Sequence, residues 1–75
     1  MKPFREIISR IRYTDSLDEW AFTVGYADRM AEGGVKEISL GAFLSLGEVP
    51  EHRVKWIKDA QGIVVWDKEK KICLL

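Results

Sequence analysis

The sequence predicts a small α+β fold, with an N-terminal helix packed on a mainly antiparallel sheet of four or five strands and a short helical turn near 41–46. Three features lead there. Apolar residues recur at helical spacing over residues 4–11, residues 20–27 alternate at period two, and two strand-like stretches flank Asp59-Ala60-Gln61-Gly62. A single helical stripe followed by strands and short polar turns packs as a helix across one sheet face. At 75 residues, one domain spanning 1–75 is expected, because a chain this short has no room for a second core.

The helix is predicted over residues 3–12. Pro3 suits a first turn, where its missing N–H costs nothing, and Phe4, Ile7, Ile8 and Ile11 form one apolar stripe. Thr14, Asp15, Ser16 and Asp18 have the capping and turn chemistry that stops it. Trp20, Phe22, Val24 and Tyr26 then alternate with small residues, as on a strand with one heavy face. Arg29–Gly34 is a turn, and Val35–Leu40 is a second strand pairing with the first, with Val35 or Ile38 inward according to register. Gly41–Leu46 reads as either a loop or a short helix capped by Ser39 and stopped by Gly47.

Glu48-Val49-Pro50-Glu51 is a connector, since the residue before proline is pushed away from helix. His52–Lys58 and Ile63–Asp67 follow as a hairpin with Gly62 left-handed. The expected register sets Trp56 opposite Trp66 and Ile57 opposite Val65, with Val54, Trp56, Val64 and Trp66 on the core face and Lys55 beside Asp67 on the other. A slip of one residue exchanges the faces. Lys68–Lys71 is a charged turn, and Ile72–Leu75 adds a short edge strand.

Composition bounds the function classes. The chain is 47% hydrophobic and 32% charged, an ordinary globular balance. No apolar run exceeds four residues (Ile63–Trp66 is one), against roughly 20 for a membrane span, and no apolar signal segment follows Lys2. The expectation is a soluble cytoplasmic protein with no membrane partner. One cysteine, Cys73, cannot form an internal disulfide, and with one histidine it makes no metal cluster, so neither metal nor cofactor is expected. The absence of Asn, with Gln61 the single Gln, follows the composition trend of thermophile proteins. Net charge is zero but unevenly spread: residues 1–14 hold four cations against Glu6, and residues 15–37 hold six acids against Arg29 and Lys36. A basic face on a neutral molecule is therefore possible.

Few residues carry chemistry. His52 belongs to the one residue type that changes charge near neutrality, and it precedes Arg53. It serves as a surface histidine, an anion donor or an acid–base group; with no partner nucleophile or metal, catalysis is the weakest of these. Arg29 offers a planar fork of donors suited to phosphate or carboxylate, or a local ion pair with Asp28. Trp20, Trp56 and Trp66 are read as core rather than base-stacking platforms, leaving Tyr13 and Tyr26 as the better stacking candidates. Gly33-Gly34 and Gly41 lack phosphate-loop spacing, and Glu48 and Glu51 form no paired-carboxylate motif. No enzyme is expected.

The segment VPEHRVKWIKDAQGIVVWDK, taken with GYADRM and VKEISL, resembles a small archaeal family of uncharacterised proteins described as an RNA-repair domain that recognises RNA ends bearing a cyclic phosphate. The similarity runs from REIISRIR to VVWDK. The resemblance implies that Asp28-Arg29, then Pro50, His52 and Arg53, then Trp66, Asp67 and Lys68 match the family's motifs. The family's usual residue at the last position is Arg, so Lys68 keeps the charge but loses bidentate geometry.

On that resemblance Arg29, His52, Arg53 and Lys68 bind the phosphate of an RNA end, Asp28 and Asp67 orient the arginines, and Tyr26 supports the site. The expected partners are RNA, with a cyclic-phosphate end, and RNA-processing proteins. The alternative is a protein-interaction or structural module that docks a partner through a sheet edge or through Ala42–Leu46, with Phe43 and Leu44 as anchors.

Overall fold

The computed structural model describes residues 3–14, 16–46 and 51–75. Its first helix, α1, spans Phe4–Arg12 after Pro3, which stands in extended conformation as the cap residue. Phe4, Ile7 and Ile11 are buried from this helix, and Ile8 packs against the edge of the core. The stripe read from the sequence is thus the face that packs.

Five strands follow: β1 (Thr23–Ala27), β2 (Val35–Ser39), β3 (Val54–Lys58), β4 (Val64–Asp67) and β5 (Ile72–Cys73). They form one sheet in the order β2-β1-β3-β4-β5, every neighbouring pair antiparallel. Between β2 and β3 the chain crosses over β1, and the second helix, α2 (Leu40–Leu46), lies on that crossover. The ambiguous segment is therefore helical. Ser39 caps it, its hydroxyl accepting from the Ala42 amide at 3.2 Å. Gly47 and Pro50, the expected stop and connector, lie outside the described residues.

Both helices contribute to one side of the sheet. A row of facing residues, Ile38, Val24, Ile57, Trp66 and Cys73, crosses all five strands on that side. Ile38 is thus the inward residue of β2. Ile7, Ile11, Leu40, Val24, Val54 and Ile57 are the largest side chains wholly removed from solvent. Beside them Phe4 meets Phe43 edge-on at 5.8 Å and Trp66 at 5.7 Å, while Tyr26 meets Phe43 at 5.8 Å. Aromatic contacts of this geometry add stability beyond the area they bury. The opposite side of the sheet carries Glu37, Gly25, Trp56, Asp67 and Ile72 in the adjacent row.

The register of the second hairpin differs from the expected one. Trp56 faces Asp67, Ile57 faces Trp66, and Lys58 faces Val64. The loop itself forms as expected, with Gly62 at φ 82° and its amide donating to the Asp59 carbonyl at 3.0 Å. Two bulges shift the faces. The first leaves Lys55 unopposed, because Tyr26 faces Val54 while Gly25 faces Trp56. The second leaves Val65 as the extra residue, since Ile57 pairs with Trp66 and Lys58 with Val64. An extra residue lets positions three apart share a face, so Val54 and Ile57 both enter the core while Trp56 turns outward.

Trp56 settles over Gly25, where an added Cβ would lie 2.2 Å from the indole. Only glycine leaves that space. Trp20 departs from expectation too. It belongs to a 3-10 turn, Glu19–Ala21, capped by the Asp18 carboxylate, and is 58% exposed rather than leading β1. Of the three tryptophans, Trp66 alone lies in the core cluster.

Ile57→Ala is expected to lower the unfolding free energy by about 2–5 kcal/mol in denaturant melts, and Val64→Ala by much less. The expected register would have reversed that order. Gly25→Ala is expected to cost about 1–3 kcal/mol through overpacking against the indole, with part of the loss recovered in the Gly25→Ala/Trp56→Leu double variant.

Candidate RNA-end site

Three chain segments meet at one end of the sheet because of how the strands run. Strand β1 leaves the sheet where β3 begins, with Tyr26 opposite Val54. Two further residues along each chain place Asp28-Arg29 beside His52-Arg53. Strand β4 leaves at the same end, and the Lys68 amide donates to the Lys55 carbonyl at 2.9 Å. The Lys68 ammonium donates to the His52 carbonyl at 3.3 Å, tying the β4 exit to the 3-10 turn Glu51–Arg53.

The result is an open hollow of about 490 Å³ lined by Ala27, Asp28, Arg29, Gly34, His52 and Arg53. Arg29, His52, Arg53 and Lys68 are all exposed. Among the described residues no hydrogen bond or ion pair engages the side chains of Arg29, His52 or Arg53. Four cations elsewhere are paired, Arg5 with Glu51 at 3.0 Å, and Arg12 with Glu19, Lys55 with Glu69 and Lys58 with Glu37, each at 3.6 Å, whereas Arg10, Lys36, Lys70 and Lys71 have no ion pair among the described residues. A concave surface holding two guanidinium groups and an imidazole with free donors is suited to a compact oxyanion.

The two aspartates do different work from that expected of them. Asp28 Oδ1 accepts from the Met30 amide at 2.9 Å, and the Asp28 amide donates to the Gly34 carbonyl at 3.0 Å. This Asx turn folds the β1–β2 connection so that Arg29 is presented at its tip. Asp67 is 8% exposed, and its Oδ1 accepts from the Lys70 amide at 2.9 Å, closing the turn before β5. Among the described residues neither carboxylate pairs with an arginine. They shape backbone rather than orient guanidinium groups.

Tyr26 is 7% exposed and packed on Phe43, so its ring cannot stack on a base. It belongs to the aromatic cluster with Phe43 and Phe4 at the exit of β1. Tyr13 is 83% exposed, but it follows α1 and does not line the hollow. The sequence reading missed the outward turn of Trp56, which depends on the bulge. Phe43, offered above as a docking anchor, is 5% exposed and occupied by Phe4 and Tyr26.

Among the described residues no group of three or more His, Cys, Asp or Glu could hold a metal ion. No helix among them is long and apolar enough to cross a membrane.

The sequence profile of the MJ1316 RNA cyclic group end recognition domain matches residues 1–68, and the chain belongs to that family. No solved structure matches the chain.

If the Asx turn presents Arg29, Asp28→Ala should cost about 0.5–2 kcal/mol, by analogy with lost capping hydrogen bonds, whereas Asp28→Asn should stay near wild type. Denaturant melts of the two variants compare them directly. Equal losses would mean that the carboxylate acts through its charge and not as a turn acceptor.

Proposed function

We propose that this member of the MJ1316 RNA cyclic group end recognition family is a non-catalytic module that binds RNA ends, with a terminal cyclic phosphate seated in the hollow between Asp28-Arg29 and His52-Arg53. The observation that carries the reading is convergence. Arg29 and the His52-Arg53 pair, far apart in sequence, line one solvent-accessible hollow with their donors free of described partners.

A 2′,3′-cyclic phosphate is a compact monoanion with two non-bridging oxygens and no free 2′ or 3′ hydroxyl. Two guanidinium forks and an imidazole can donate to those oxygens from different directions. Charge-assisted bonds of this type are roughly twice as strong as neutral ones. Lys68, bonded to the His52 carbonyl, adds positive charge at the rim without bidentate geometry. The family name supports the ligand class, and the free donors support an anion. Hydrolytic ring opening takes water as its nucleophile and needs an acid and a base acting together; beside His52 the lining offers Asp28, whose Oδ1 already accepts from the Met30 amide, and this supports binding over ring opening.

NMR titration with oligonucleotides ending in cyclic phosphate, linear phosphate or hydroxyl tests the reading. Selective shifts at Arg29, His52 and Arg53 with the cyclic end are expected. Identical or absent responses to all three ligands would remove it. Arg53→Ala should weaken cyclic-end binding by about 10- to 150-fold, the range for losing one charge-assisted bond. Because few phosphates are engaged, log affinity should fall with log salt by only about 0.7 per phosphate neutralised. Incubation of cyclic-ended RNA with the protein should leave the ring closed.

A further inference from the structure

The side of the sheet away from the helices is continuous with the hollow. Gly25 and Ala27 are two residues apart on β1 and so face the same way. Ala27 lines the hollow, and Gly25 lies beneath the Trp56 indole. Along a strand those two positions stand roughly 6.7 Å apart, a short step for a nucleotide whose base and cyclic phosphate are carried on one ribose. Trp56 is half-buried, held over backbone with no Cβ to lift it. It is an aromatic surface on the same side of the sheet as the hollow that Arg29, His52 and Arg53 line.

Resting on the reading of the hollow given above, we propose that Trp56 is the stacking platform for the base at the bound RNA end, so that phosphate and base are gripped on adjoining parts of one surface. The Lys58 ammonium now stands over the indole at 4.4 Å from its centroid and 3.6 Å from Glu37. Both contacts are of the weak, solvent-screened kind, whereas a base stacked on an aromatic ring contributes more. An arriving base therefore displaces Lys58, which is left free to meet the RNA backbone. Stacking of this kind tolerates any base, since every base has a π face, so the site recognises the chemistry of the end rather than its sequence.

The test uses the full chain and three ligands: an oligonucleotide with a cyclic-phosphate end, the same oligonucleotide with its last two bases removed to leave abasic sugars, and one with a hydroxyl end. Trp56→Leu is expected to weaken the base-bearing cyclic-ended ligand by about 5- to 150-fold, and Trp56→Phe by far less. The abasic ligand should bind wild type and Trp56→Leu alike. In wild type the Trp56 indole N–H resonance should shift on saturation with the base-bearing ligand and stay in place with the abasic one. If Trp56→Leu does not fold, that resonance decides the matter alone.

An unchanged affinity in a folded Trp56→Leu, or an unmoved indole resonance at saturation, would overturn the platform while leaving the phosphate hollow standing, provided Arg53→Ala still weakens binding. If wild type does not distinguish the cyclic from the hydroxyl end, the hollow reading falls and the platform falls with it.

Discussion

The pairing of β1 with β3, with one extra residue at Lys55, is the constraint on which the rest of the molecule depends. It decides three things at once. Val54 and Ile57 are both turned into the core although they are three residues apart. Trp56 is turned to the other side and placed on Gly25. The same pairing fixes where β1 leaves the sheet relative to where β3 begins, which brings Arg29 beside His52 and Arg53. A regular ladder would put Lys55 and Ile57 on one face and Val54 and Trp56 on the other.

Charge distribution follows a related economy. The molecule is neutral overall, and its exposed ion pairs lie away from the hollow. Such pairs contribute little to stability, each at most about 1 kcal/mol, so their placement matters more for where charge is left unmatched than for folding. Glu51 shows the point. It flanks His52 and Arg53 in sequence, yet its carboxylate reaches away to Arg5 on α1. The acid nearest the cations along the chain is thereby engaged elsewhere. Asp28 and Asp67 spend their acceptors on backbone amides. Among the described residues the guanidinium groups at the hollow meet no carboxylate, because the local carboxylates have other tasks.

Much of this was legible in the residues. The helical stripe, the turn residues and the order of elements are local properties, and α1, the first hairpin and a sheet of four or five strands follow from them. The juxtaposition of Arg29, His52 and Arg53 was legible only through resemblance, since no short-range pattern joins position 29 to position 53. What escaped was parity. A single extra residue in β3 reverses which of Trp56 and Ile57 is buried; a glycine inside a strand, such as Gly25, marks a bulge or a close backbone approach, but period-two reasoning does not say that the partner strand carries the extra residue at Lys55. Trp20 failed for a nearer reason: Asp18 accepts from its amide and sets a 3-10 turn where alternation had suggested strand. Tyr26 fell to the opposite error, a residue read as half-exposed that the aromatic cluster covers.

Both helices pack on one face of the sheet, an arrangement that antiparallel sheets allow. The uncovered face must then stay in solution without becoming a general adhesive surface. Its composition meets that need. Glu37, Lys58 and Thr23 are polar, and the one large aromatic side chain, Trp56, is pressed onto backbone under a lysine that a stronger stacking partner can displace. Burying Trp56 fully would need a third layer. Exposing it fully would invite association. Half-burial over a glycine, beside cations with free donors, leaves a surface that is quiet in water and receptive to a ligand combining negative charge with a flat ring. A nucleotide at the end of an RNA strand carries that pair of properties on one ribose.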